Sequence, residues 1–327
     1  MKKIITLLLT VVLAASTLFV TGCGEKSDAE NKTFKVGIIQ LVEHPSLDTI
    51  RESLIAGLEA EGFKEGENLE IDYQNGQNDM GTMKNIAQKF VGDEVDVIVA
   101  IATPAAQAAL SETTDIPIVF AAITDPISAE LVASNDEPGG NVTGTSDYIA
   151  VDKIMGLAEE ITPDFRTIGA LYNTGEANSV SVIEDLKAYA EEKGLKVVTS
   201  TVTNTSEVQQ AAQKLADKCD IVFSPIDNTI ASSMQVATDV FNKSKTPFYV
   251  SADSMVKDGG LATYGIDYTV LGNETGKMIA EVLNGADTAT MAVKTMSDLQ
   301  VYVNQTTADA LGLEIPQDII DGGANIL

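Results

Sequence analysis

The sequence predicts an α/β protein: two doubly wound parallel-sheet lobes with a cleft between them. Two observations carry this. From Phe34 onward, short apolar runs alternate with longer segments whose apolar residues recur at helical spacing, the pattern of strands covered by helices on both faces. The alternation also comes in two series, separated at Asn141-Val-Thr-Gly-Thr-Ser, and each series is long enough to bury a core of its own.

In the first series, Phe34–Gln40 reads as a strand buried on both faces, because a parallel strand under helices is apolar throughout rather than alternating. Leu47, Ile50, Leu54, Ile55 and Leu58 give a helix over Ser46–Glu61, with Ser46 placed to cap it. Leu69–Tyr73 is a second strand and Met80–Val91 a second helix; Val95–Ile101, Thr103–Leu110 and Ile116–Ala122 supply a strand, a helix and a strand. The second series runs helix Asp152–Ile161, strand Thr167–Tyr172, helix Ser179–Lys193, strand Lys196–Ser200, helix Ser206–Ala216, strand Ile221–Ser224, helix Thr229–Asn242 and strand Pro247–Val250. A strand at Leu261–Gly265 and a long helix at Thr269–Leu283 follow. Repeated β-α-β order gives parallel strands, because only a crossover connection brings the chain back in the same direction.

The N-terminus reads as an export leader: Lys2 and Lys3, a 17-residue apolar run from Ile4 to Val20, then small residues before Cys23. The run is short for a membrane span. Val20-Thr21-Gly22-Cys23 resembles a bacterial lipobox, which implies cleavage after residue 22 and a diacylglycerol on the Cys23 thiol. Gly24–Lys32 has almost no apolar content and reads as a tether, so residues 23–33 precede the fold. Without residues 1–22 the chain carries 19 basic and 48 acidic side chains, a net charge of −29. That surface repels phosphate and argues against nucleic acid as a partner. Only Cys219 remains beyond Cys23, which gives no disulfide framework and no zinc spacing; the residue reads as a small core side chain.

Ligands of doubly wound sheets bind beyond the carboxyl ends of the strands, so the loops there hold the candidate site. Gln40 ends the first strand and precedes Glu43-His44-Pro45-Ser46. His44 is the single histidine and reads as helix-start packing rather than as a metal ligand or base. Ala102-Thr103-Pro104-Ala105 opens the third helix, with Thr103 as its cap and Pro104 in its first turn. Such an N-terminus presents free N–H groups to a carboxylate, although a capped helix needs no ligand. Strand four ends at Thr124-Asp125, and the second series begins beyond Ser146. In the second lobe Asn173, Asn178 and Ser179 follow one strand, Asp227 and Asn228 another, and Asp253 a third. Asn178, Ser179 and Asp227 are each either helix caps or ligand groups: Asp227 for an ammonium, the other two with Thr103 for a carboxylate. Tyr148 and Tyr264 offer apolar walls with polar tips.

Gln40-Leu-Val-Glu-His-Pro-Ser-Leu-Asp, Val99-Ala-Ile-Ala-Thr-Pro-Ala-Ala-Gln, Ile123-Thr-Asp-Pro, Gly139-Gly-Asn-Val-Thr-Gly-Thr-Ser-Asp and Tyr172-Asn together resemble the TrpX-like family of ABC-transporter substrate-binding lipoproteins, in order and from about Phe34 to the end. The chain departs from that family's pattern at Ser46, where alanine is typical, and at Tyr73-Gln-Asn-Gly-Gln-Asn. The resemblance implies a type I periplasmic-binding fold with three hinge crossings, a permease and an ATPase as partners, and an aromatic amino acid, tryptophan or phenylalanine, as ligand. The crossings fall near Ser146, between Ala252 and Tyr264, and near Met296, so residues 34–146 with 265–296 form the first lobe and 147–264 with 297–327 the second.

An enzyme reading finds little. No GxGxxG follows the first strand, and neither GxSxG nor HExxH occurs. Gly272-Asn-Glu-Thr-Gly-Lys277 resembles a phosphate loop but is one residue short and lacks Ser or Thr after the lysine. The expectation is a binder without cofactor, metal or catalysis, outside the cytoplasm and tied to the membrane by lipid. The alternatives are a ligand-sensing ectodomain, or a binder of a sugar, nucleoside or other amino acid.

Overall fold

Residues 32–327 are described by a computed structural model; the leader, Cys23 and nearly all of the tether lie outside the described residues. The strands, in chain order, are β1 Phe34–Gln40, β2 Leu69–Asn75, β3 Val97–Ile101, β4 Ile118–Ala121, β5 Val142–Ser146, β6 Thr167–Asn173, β7 Lys196–Val202, β8 Ile221–Phe223, β9 Phe248–Tyr249, β10 Ala262–Ile266, β11 Lys294–Thr295, β12 Leu299–Val303 and β13 Asn325–Ile326. The helices are α1 Pro45–Ala60, α2 Met80–Gly92, α3 Thr103–Glu112, α4 Val151–Ile161, α5 Ala177–Lys193, α6 Val208–Ala216, α7 Asn228–Ala231, α8 Met234–Ser244, α9 Asp253–Lys257, α10 Tyr268–Leu283, α11 Gln305–Leu311 and α12 Gln317–Asp321.

Two parallel sheets organise these elements. The first has the order β11-β5-β4-β3-β1-β2 and the second β7-β6-β8-β9, every pairing parallel. The order runs outward from β1 in both directions, as double winding requires. Strands β3 and β4 are buried along their whole length, which is why their sequences are continuous apolar runs. The chain returns to the first sheet late: α10 packs on α1, and β11 joins the edge beyond β5. A small sheet, β10-β12-β13, continues the second body, with β10 and β12 antiparallel.

Glycine sets the closest approach in the first lobe. A Cβ on Gly276 would meet the Leu54 carbonyl oxygen at 2.5 Å, one on Gly272 the Ile50 oxygen at 2.8 Å, and one on Gly57 the Asn273 oxygen at 2.7 Å. The Gly272–Lys277 segment is therefore an interior stretch of α10 whose glycines let two helix backbones touch, and it forms no phosphate loop.

Several local expectations are corrected. Ser46 is not a cap: α1 starts one residue earlier, with Pro45 in its first turn and His44 at the capping position. Thr103 is likewise inside α3, and Ala102 precedes it. The helix expected over Thr229–Asn242 breaks at Ser232 and Ser233 into α7 and α8, and the one expected from Ser206 opens with a 3-10 turn, Thr205–Glu207. Strand β5 was hidden by its polar content and by Gly144, where a Cβ would lie 2.0 Å from the Phe120 oxygen of the neighbouring strand. Strands β11 to β13 are short or half-exposed and lack a periodic signal.

Candidate functional site

The loops leaving β1, β3, β4 and β5 and those leaving β6, β8 and β9 converge on one enclosed pocket. The loops beyond the six-stranded sheet contribute His44, Ser46, Leu47, Ala102, Thr103, Ala122, Thr124 and Asp147, and α10 adds Tyr268. The loops beyond the four-stranded sheet contribute Asn178, Ile226, Asp227, Asn228, Ala231, Ala252 and Met255. Two positions on the first-lobe rim carry strained backbone. Ala102 has φ 77° and Ala122 φ 57°, a region that disfavours any residue with a Cβ and that clusters at ligand sites. Both stand immediately after a strand, where the turn into the pocket is made.

The second-lobe wall is built from two buried carboxylates. Asp227 caps α7: Oδ1 accepts from the Ile230 amide at 2.9 Å, and Oδ2 from the Asn173 amide at 2.6 Å and the Ser179 hydroxyl at 2.8 Å. Glu176 accepts four more bonds, from the amides and side chains of Asn228 and Thr229. Burial and the neighbouring Glu176 raise the pKa of the Asp227 carboxyl, against the pull of its hydrogen bonds. Beside it, Asn178 is 3% exposed and its Nδ2 donates to the Ile226 carbonyl at 2.8 Å. That bond fixes the amide orientation, since the reverse would set two acceptors together, and it leaves Oδ1 buried without a partner. Asn178 thus offers an acceptor, and Ser179 spends its proton on Asp227. Ser179 therefore has no hydroxyl proton left for a carboxylate, whereas Asn178 has a buried open acceptor beside a second Nδ2–H.

The third buried carboxylate is Asp147, just beyond β5. Thr124 donates to Oδ1 at 2.8 Å and Tyr268 to Oδ2 at 3.3 Å. Burial pushes its pKa up to about 6. Sequence reasoning passed over Asp147, Glu176 and Tyr268; the first two lie within two residues of named candidates, Ser146 and Asn178, and the third opens the last long helix.

Direct bonds join the two sides. His44 Nε2 lies 3.1 Å from Asn228 Oδ1; because the Asn228 Nδ2 already donates to Glu176, His44 must be the donor. The Ser46 and Ser254 hydroxyls are 2.5 Å apart, and Ser181 donates to Asp125 at 2.5 Å. Burial lowers the His44 pKa, so it stays a neutral imidazole near pH 7.

Other candidates stand apart from the pocket. Gln40 is buried but bonded internally to Val42, Asp48 and Arg51. Ala105 is core, and Ser146 donates to the Thr124 carbonyl. Pro104 and Asn173 line a separate recess. Tyr148 is exposed and reaches Asp185. Asp253 pairs with Lys257, and Tyr264 lies under Lys153. Among the described residues no group of His, Cys, Asp and Glu is arranged to hold a metal, and no helix is long and apolar enough to cross a membrane.

Residues 35–325 match the family profile described as ABC transporter substrate binding protein. A tyrosine-binding protein of Clostridioides difficile is 43% identical over 323 residues, 96% of this chain and 93% of that one. Among solved structures, an ABC domain from Streptococcus pneumoniae in complex with L-Trp is 41% identical with a TM-score of 0.88, covering 90% of this chain and all of that one. A ligand-free, open substrate binding protein from Clostridium difficile is 43% identical, covers 90% and 99%, and has a TM-score of 0.70. Identity and coverage are nearly equal, so the gap between the two scores reflects shape: this structure resembles the ligand-bound form more than the open one, in keeping with the bonds across its pocket.

Proposed function

The chain belongs to the ABC transporter substrate-binding proteins, and from that premise we propose that its pocket captures one aromatic amino acid outside the cytoplasm and hands it to a permease driven by an ATPase. The observation that carries the reading is the acceptor cluster of Asp227 and Asn178 Oδ1, which has no partner among the described residues, lining the same pocket as Thr103 in the first turn of α3. A zwitterion needs one anion site and one cation site. Asp227 and Asn178 take the ammonium; Thr103 with the α3 N-terminus takes the carboxylate. Leu47, Ala252, Met255 and Tyr268 supply apolar walls for a ring. The ligands of the tyrosine-binding relative and of the tryptophan complex support the aromatic class.

The lobe boundaries belong to the same proposal: residues 34–146 with 265–296, and 147–264 with 297–327. The packing of α10 on α1 and the pairing of β11 with β5 support them. Closure joins the lobes through His44 with Asn228 and Ser46 with Ser254, and opening breaks those bonds. The site binds without chemistry. Native mass spectrometry of the purified chain tests the reading: an adduct with the mass of an aromatic amino acid, released unchanged on denaturation, is expected. A sugar or nucleoside adduct in its place refutes the aromatic assignment.

A further inference from the structure

We propose that Asp147 selects, among aromatic amino acids, those whose ring carries an N–H or O–H donor. The proposal rests on the aromatic amino acid reading above and names the residue that refines it.

An amino acid brings one ammonium, and two buried carboxylates, Asp227 and Asp147, line the pocket. The Asp227 end, with Asn178 Oδ1, already supplies acceptors for that ammonium. Asp147 shares no hydrogen-bond partner with it. Its own partners are Thr124, at the end of the first-lobe strand β4, and Tyr268, at the start of α10. Asp147 is fully buried, and no lysine, arginine or histidine is bonded to it. A buried carboxylate held by its own backbone amide and two hydroxyls, one at a long 3.3 Å, retains a lone pair that accepts a further donor. Tyr268 also lines the pocket, along with Leu47, Ala252 and Met255. Asp147 thus stands where an apolar wall ends in an acceptor. An indole N–H or a phenol O–H satisfies it, whereas an unsubstituted phenyl ring buries the carboxylate without a donor. A site built to bond a substrate hydroxyl or N–H rejects the analogue lacking it far more strongly than an apolar pocket discriminates by size.

The test is calorimetric titration of ligand-stripped protein with L-tryptophan, L-phenylalanine and 3-benzothienyl-L-alanine, in which sulfur replaces the indole N–H at nearly constant shape. Wild type is expected to prefer tryptophan to the benzothienyl analogue by about tenfold or more, in line with a charge-assisted bond. In Asp147→Asn that ratio contracts to within about threefold, mainly through weaker tryptophan binding. The wild-type comparison needs no variant, so it stands even if Asp147→Asn folds poorly. Equal binding of tryptophan and the analogue by wild type overturns the proposal. So does an Asp147→Asn variant that loses the same factor for all three ligands, which would place Asp147 at the shared ammonium. Failure of wild type to bind any of them removes the aromatic reading itself, and this proposal with it.

Discussion

Asp227 illustrates how one carboxylate serves both stability and recognition. It caps α7, ties β6 to the β8 loop through the Asn173 amide, and retains an acceptor position on Oδ1. Asp227→Asn keeps the shape but removes the charge opposite a ligand ammonium. Truncating one partner of a buried charge pair costs ~2–5 kcal/mol of binding, so affinity is expected to fall by tens to thousands of fold, read by calorimetry. Asp227→Ala, which also removes the cap, lowers the unfolding free energy by about 1 kcal/mol, read separately in urea. A second prediction concerns pH. In the closed arrangement burial raises the Asp147 carboxyl from 3.8 to about 6, whereas a bound donor favours the carboxylate. Binding therefore releases a proton below about pH 6, and affinity falls as pH drops from 7 to 5. The stability of this closed arrangement behaves oppositely: the raised value makes it bind protons more readily than the unfolded chain, so Asp147 destabilises it less as pH falls through 6. Titrations of wild type and Asp147→Asn at both pH values check this, the variant showing the flatter profile. That Asp227, Asn178 and Thr103 would line one pocket was legible because they follow strand ends in an α/β chain. The direction of each hydrogen bond was not, since it depends on Ile226, Ser179 and Glu176 arriving from other parts of the chain.

At the scale of elements, legibility followed apolar continuity. Strands β1, β3, β4 and β6 declared themselves because burial on both faces demands uninterrupted apolar runs. Strand β5 did not, as Thr143, Gly144 and Thr145 are buried polar or small residues: Thr145 pairs with Thr275 at 2.8 Å and Thr143 donates to the Met291 carbonyl at 2.6 Å. Those partners are more than a hundred residues away and leave no local trace. The α1–α10 contact was equally hidden, and its glycines imitated a phosphate loop. Gly276→Val is expected to force the helices apart, with an overpacking cost of ~1–3 kcal/mol, seen as a lower urea midpoint. If Gly276→Val is as stable as wild type, the close backbone contact is wrong. Gly144→Ala should act more locally, displacing β5 from β4 and with it Asp147 from Thr124, so ligand affinity falls with stability.

For the whole molecule, the central claim is a two-lobed capture protein whose closed form encloses an aromatic amino acid. The bonds joining His44 to Asn228 and Ser46 to Ser254 link the two sides of the pocket, and on the proposed closure small-angle scattering should show a smaller radius of gyration once ligand is added to stripped protein. Membrane attachment is argued from the leader alone: Cys23→Ala is expected to shift the protein from the membrane fraction to the soluble one, and persistence in the membrane after normal processing contradicts the lipid anchor. The most direct test is calorimetric titration of ligand-stripped wild type with L-tryptophan and L-tyrosine, beside a sugar and a nucleoside. Saturable binding of one aromatic amino acid per chain, with no heat from the sugar or nucleoside, is the predicted result. Saturable binding of the sugar or nucleoside, with neither amino acid bound, contradicts it.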